Sequence, residues 1–210
     1  MKYMWVIALL VSSTEFAMAT PVSFKGGWGI LPMYNEDWAD FQANYSLSNR
    51  YALGLSDYYR QGKDSTANFG IGQFNYLLKR WNKMESQANI YTSIGFGGRH
   101  DSVHGDALAG YGSVEGNYET RRVYTLLAGE TLQSGQGVYF NRLRYRAGVS
   151  PYEAPFEALQ TWLVVEFDYM PEMKDETRVT PLVRLFYNNY ALEAGVSLDG
   201  KPFLAAMAHF

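Results

Sequence analysis

The sequence predicts an all-β fold, an antiparallel up-and-down transmembrane β-barrel of about twelve strands, with ten as the alternative. Three observations predict it. Apolar and polar residues alternate with a period of two over most of the chain, and the longest apolar run beyond residue 19 is only Phe203 to Ala208. Aromatic residues make up 16% of the 210 residues, while charged residues make up 19% against a usual share of about 25%. Hydrophobic residues reach 47%, yet the mean hydropathy is -0.24, so the apolar side chains are dispersed rather than clustered. With no cysteine, the chain has no disulfide framework, thiolate metal site or cysteine nucleophile. The net charge of -3 provides no basic footprint for nucleic acid.

The first nineteen residues stand apart. Lys2 precedes an apolar run from Tyr3 to Val11, followed by Ser12-Ser13 and Ala17-Met18-Ala19. This predicts a secretory signal peptide over residues 1–19 cleaved after Ala19, and a single domain over residues 20–210. A nine-residue run is too short to span a bilayer as a helix, which takes about 20.

Strands are expected near residues 24–34, 37–47, 51–59, 67–81, 86–97, 107–118, 121–130, 138–149, 157–169, 178–187, 190–197 and 201–210. In the second, Ala39, Phe41, Ala43, Tyr45 and Leu47 form one face and Asp40, Gln42, Asn44 and Ser46 the other. In the fifth, Ala88, Ile90, Thr92, Ile94 and Phe96 alternate with Asn89, Tyr91, Ser93 and Gly95. In the eighth, Leu143, Tyr145, Ala147 and Val149 alternate with Arg142, Arg144 and Arg146; in the ninth, Leu163, Val165, Phe167 and Tyr169 alternate with Trp162, Glu166 and Asp168. Turn chemistry separates the strands at Asn35-Glu36, Ser48-Asn49-Arg50, Gln61 to Asp64, Asn82-Lys83, Asn188-Asn189 and Asp199-Gly200. Gly70-x-Gly72 and Gly110-x-Gly112 have no strand-to-helix setting and are read as small strand residues that ease curvature or packing.

A soluble barrel turns its apolar face inward, whereas a membrane barrel turns it to lipid and lines its lumen with polar groups. The aromatics Tyr51, Tyr59, Trp81, Tyr118, Tyr139, Tyr169, Tyr187 and Tyr190 fall near strand ends, where they would form membrane-interface girdles. At the end of the chain Leu204, Ala206, Ala208 and Phe210 alternate and terminate in an aromatic residue. This resembles the C-terminal assembly signal of Gram-negative outer-membrane β-barrel proteins. The resemblance implies a bacterial outer-membrane location, contact with outer-membrane lipids and recognition by the barrel-assembly machinery. It covers the last nine or so residues and the general alternation, and it identifies a class rather than a member.

An even strand count places both termini in the periplasm. Segments 60–66, 98–106, 130–137 and 170–177 are then expected as extracellular loops, and Ser48 to Arg50, Asn82 to Glu85, Glu119-Thr120 and Asn188-Asn189 as periplasmic turns. The connection from Ser150 to Glu157, with Pro151 and Pro155, is long for a periplasmic turn.

The expected lumen carries Asp40, Glu115, Glu119, Arg142, Arg144, Arg146, Glu166, Asp168, Arg184 and Glu193. Their signs nearly cancel, which points to salt bridges bracing the barrel; an anion track lining a pore is the alternative. His100, His104 and Asp106 could ligate a divalent metal, but no helix enforces their spacing. Ser102 and His104 invite a hydrolase reading of the kind known for lipid-modifying outer-membrane enzymes, without a supported nucleophile and base pair. The reading that follows is a structural barrel or narrow passive pore without a cofactor, the alternatives being a lipid hydrolase or a binding protein acting through its extracellular loops.

Overall fold

The computed structural model describes residues 20–155 and 157–210. The expected signal peptide, residues 1–19, lies outside the described residues. Twelve strands follow one another: β1 (Trp28–Asn35), β2 (Trp38–Ser46), β3 (Tyr51–Gln61), β4 (Thr66–Asn82), β5 (Ser86–Asp101), β6 (Gly105–Thr120), β7 (Val123–Ser134), β8 (Tyr139–Val149), β9 (Gln160–Tyr169), β10 (Thr177–Tyr187), β11 (Tyr190–Val196) and β12 (Pro202–His209). Each pairs antiparallel with its sequence neighbours, and β12 closes on β1 through pairs such as Gly29 with His209 and Asn35 with Phe203. The fold is therefore a closed, twelve-stranded, up-and-down barrel with no free edge.

The face that meets each solvent follows from the pleat. In β3, Ala52, Gly54, Ser56, Tyr58 and Arg60 are buried, while Tyr51, Leu53, Leu55, Asp57 and Gln61 are exposed. The exterior is apolar to a degree no water-facing wall tolerates: Leu55 is 71% exposed, Leu108 69%, and Ile94 and Phe96 65% each. Lipid is the solvent that fits this wall, and closure satisfies the strand backbones within it.

Several boundaries differ from expectation. β1 begins at Trp28, because residues 24–27 leave the ladder and fold across the end of β2. β9 begins at Gln160 rather than near residue 157. The expected loop 98–106 shrinks to the hairpin between Asp101 and Gly105, whose Gly105 takes a φ of 68°. The expected loop 130–137 is largely strand, since β7 runs to Ser134 and turns through a short 3-10 turn at Gly135–Gly137. The turn expected at Glu119-Thr120 lies at Arg121-Arg122, with the Thr120 hydroxyl accepting the Val123 N–H at 2.9 Å. The connection between β8 and β9 is long, as its prolines suggest, and Ser150 Oγ ties it down by donating to the carbonyls of Tyr152 and Thr161 at 2.6 and 3.0 Å.

The glycine reading also changes. Gly70, Gly72, Gly110 and Gly112 face outward into open space or ordinary contact, so packing does not explain them. Packing requires glycine at other positions, Gly97 and Gly195 among them, whose Cβ atoms would stand 1.9 Å from the Gly70 carbonyl oxygen and 2.4 Å from that of Pro181.

Candidate functional site

The lumen is the site. All ten residues expected there face inward, and the register explains how they meet. β8 presents Arg142, Arg144 and Arg146 at two-residue spacing, and β9 opposes Arg144 with Asp168 and Arg146 with Glu166 as direct cross-strand partners. Arg142 reaches Asp168 with two parallel bonds, Nε to Oδ1 at 2.7 Å and Nη2 to Oδ2 at 2.8 Å. Its Nη1 lies 3.3 Å from Asp40, which also receives Arg60. Arg144 Nε stands 3.3 Å from Asp168 and 3.7 Å from Glu166; Arg146 pairs with Glu166 and, at 3.0 Å, with Glu193. Arg184 Nε ends the series on Glu193 at 2.6 Å.

The result is one alternating chain across the barrel: Arg60, Asp40, Arg142, Asp168, Arg144, Glu166, Arg146, Glu193, Arg184. Glu130 joins it through Arg60 at 3.3 Å and accepts the Tyr111 hydroxyl at 3.3 Å. Five guanidinium groups thus face five carboxylates, which leaves the network neutral. Aromatic faces complete it, with the Arg142 guanidinium 4.0 Å from the Trp38 ring centre and that of Arg184 4.6 Å from Tyr124. Sequence reading missed Arg60 and Glu130, because both fell in segments expected to be loops.

The interior is not wholly polar, a second correction. Between the network and the end away from the termini, Phe69 and Phe140 meet edge to face at 6.0 Å, and Leu132, Met170 and Met173 fill the space around them. Met170 and Met173 come from the β9–β10 connection, which folds over the opening. There Gly62 bridges Met173, the Asn141 N–H and side-chain amide both donate to Glu172 at 2.9 Å, and Lys63 meets Glu176 at 2.6 Å. On the same rim Asp37 receives Arg178 and Lys201, the latter at 2.7 Å, and Arg178 stands 3.6 Å from both Asp175 and Asp199. Burial opposes charge on Asp37, but hydrogen bonds from Lys201 and Arg178 outweigh it and hold its carboxyl below the usual range. Burial likewise works against the Lys201 ammonium, and Asp175 and Asp37 overcome it to raise its pKa.

On the side of the network toward the termini lies a cavity of about 110 Å³. Arg144, Arg146 and Arg184 form one wall, and Gln42, Asn44, Gln73, Asn75, Ser93 and Ser113 form much of the other. Glu115 borders it with, among the described residues, only the Asn117 amide as a hydrogen-bond donor, at 3.1 Å. Glu119, further along β6, has no ion pair among the described residues. The space suits a few waters, well short of the roughly 300–1,000 Å³ of a typical ligand pocket.

The histidine candidates do not converge. His100 Nδ1 meets Asp106 at 2.6 Å on the exposed outer face, whereas His104 Nδ1 meets Asp101 at 2.9 Å at the hairpin tip. No group of three His, Cys, Asp or Glu side chains among the described residues is arranged to hold a metal. The Ser102 hydroxyl accepts the Thr66 N–H at 3.0 Å, so Ser102 and His104 are engaged separately. Of the girdle candidates, Tyr51, Trp81, Tyr118, Tyr187 and Tyr190 lie exposed at the end carrying the termini, and Tyr139 and Tyr169 at the other with the half-buried Tyr59. In β12, Leu204, Ala206 and Ala208 point outward, while Phe203, Ala205, Met207 and His209 point in.

No protein-family model and no curated protein matches this sequence. Among solved structures, the chain is similar to OmpTdeltaL8, the loop L8 deletion mutant of OmpT, an outer membrane protein of Vibrio cholerae, at 10% sequence identity and a TM-score of 0.32, covering 90% of this chain and 98% of that one.

Proposed function

We propose that this chain is a bacterial outer-membrane β-barrel with a structural role in the envelope, held closed by its own interior. The observation that carries the reading is the neutral chain of five guanidinium groups and five carboxylates across the lumen, backed by the Phe69, Phe140, Met170 and Met173 layer. A pore needs a continuous wet path and unneutralised lining groups to attract a solute. Here the five guanidinium groups of the network are consumed by its five carboxylates, and one end is filled with apolar side chains. A lipid hydrolase would need a nucleophile hydrogen-bonded to its base, an arrangement that Ser102 and His104 do not make.

In this reading the signal peptide directs the chain to the periplasm, and removal after Ala19 leaves Thr20 as the mature terminus. The outward Leu204, Ala206, Ala208 and Phe210 serve as the assembly signal, and the two aromatic rings sit at the lipid headgroups. The end carrying the termini faces the periplasm. Two experiments test the proposal. Heat-modifiable migration of the refolded protein on a denaturing gel checks the membrane barrel, and a helix-rich circular dichroism spectrum would refute it. In planar bilayers the refolded protein is expected to give no sustained current; steady single-channel steps would replace the structural reading with that of a narrow passive pore.

A further inference from the structure

Residues 20–27 are a built part of the barrel although they precede its first strand. The Ser23 N–H donates to Ser46 Oγ at 2.8 Å, the Gly26 N–H to the Ser46 carbonyl at 2.7 Å, and the Lys25 N–H to Asn49 Oδ1 at 2.8 Å. These bonds stitch the segment to the end of β2 and turn the chain that precedes it inward. Val22 is completely buried against Ala52, Leu77 and Tyr91, which are inward residues of β3, β4 and β5. Thr20 and Pro21 line the internal cavity itself. The Thr20 hydroxyl donates to the Val22 carbonyl at 3.0 Å, and Tyr91, which lines the same cavity, has Glu115 as its direct cross-strand partner.

The charges around this point are unequal. Arg144 and Arg146 lie across the cavity from Glu115, already committed to Asp168, Glu166 and Glu193. Arg80, a further guanidinium on this side, is held by the neutral side chains of Asn89 at 2.7 Å and Tyr91 at 3.1 Å. Glu115 and Glu119 therefore make no ion pair among the described residues. A buried carboxylate without a counter-ion is costly, and the chain offers one more positive group close by. That group exists only if the chain begins at Thr20.

We propose that the lumen contains a binding site for the chain's own processed amino terminus: the Thr20 α-ammonium pairs with Glu115 inside the barrel, and Thr20, Pro21 and Val22 stopper the periplasmic mouth. This rests on the outer-membrane reading and on cleavage after Ala19. Processing then does more than release the chain. It creates the cation that completes the lumen, so an unprocessed chain cannot reach the fully closed state.

The test is acylation of the mature, refolded protein at pH 7 with an acetyl ester of N-hydroxysuccinimide, read by peptide mass spectrometry at Thr20 with the exposed Lys25 as internal control. Because each unit of pKa changes the neutral amine fraction tenfold, Thr20 is expected to react at least about tenfold slower in the barrel than in urea, with Lys25 little changed. Glu115→Gln removes the partner but keeps the size, and Val22→Asp expels the stopper; each is expected to restore Thr20 reactivity to within about threefold of the unfolded rate while the protein stays heat-modifiable. Reaction of wild-type Thr20 at the unfolded rate in a heat-modifiable barrel would overturn the proposal, as would full protection in Glu115→Gln. Failure of the underlying reading is separable. It would show as the absence of a heat-modifiable form, or as a purified membrane protein whose first residue is not Thr20.

Discussion

Glu193 is the most informative position in the lumen, because two guanidinium groups depend on it and only one has another partner. Arg146 retains Glu166 when Glu193 is neutralised, but Arg184, 9% exposed, has no other carboxylate within ion-pair reach among the described residues. Glu193→Gln therefore strands a buried cation, a class of change that costs about 3–5 kcal/mol. Arg184→Met leaves Glu193 paired with Arg146 at 3.0 Å and loses one charged hydrogen bond, so about 1.5–3 kcal/mol is expected. The double variant removes the stranded charge together with its missing partner and restores neutrality. It should be more stable than Glu193→Gln alone, with a coupling of about 0.5–3 kcal/mol. Urea unfolding in lipid vesicles, followed by tryptophan fluorescence, reads these differences. With a slope of about 1–3 kcal/mol per molar, Glu193→Gln should lower the midpoint by at least about 1 M. If the double variant is less stable than Glu193→Gln, the two residues act independently and the network does not brace the barrel.

Three further perturbations test other layers. Gly97→Ala drives a methyl into the Gly70 carbonyl and should prevent recovery of the heat-modifiable form, whereas Gly110→Ala, with open space around it, should shift stability by no more than about 0.5 kcal/mol in the same assay. Met173→Ala empties a buried site in the layer away from the termini and should cost about 2–5 kcal/mol in urea unfolding. The rim cluster sets opposite pH limits. Asp37, depressed in the fold, contributes stability that is present at neutral pH and lost as pH falls through its lowered pKa; Lys201, raised, contributes stability lost as pH rises above the ordinary lysine range. Asp37→Asn should flatten the acid limb of the stability profile and Lys201→Met the alkaline limb, each measured by thermal unfolding across pH.

The parts of this structure legible in the sequence are those that a period of two encodes. Ala39 to Leu47 is assigned its two faces without error, and Arg142, Arg144 and Arg146 fall inside with their acidic partners. Periodicity states which residues share a face, but not how a lumen is filled. Phe69, Phe140 and Phe203 occupy inward positions because a side-chain-filled barrel needs volume as well as charge, and a polar-inside rule has no place for them. Glu130 stands at the junction of the expected strand 121–130 and the expected loop 130–137, and its lumen role emerges only from its pairing with Arg142. The inward path of residues 20–27 leaves no periodic trace, since it depends on Ser46 and Asn49, neighbours in space rather than in pattern.

The unequal strand lengths have a consequence for the membrane rather than for the protein. β4, β5 and β6 run for 17, 16 and 16 residues, whereas β11, β12 and β1 have 7, 8 and 8. A tilted strand needs about 9–11 residues to cross the hydrocarbon, so one wall overshoots the bilayer and the wall containing the β1–β12 closure falls short of it. Lipids along that closure must shorten their acyl layer to match, and the barrel carries a permanent thin sector with it. The surrounding bilayer is thus thinnest beside β1 and β12, where the two ends of the chain close the barrel.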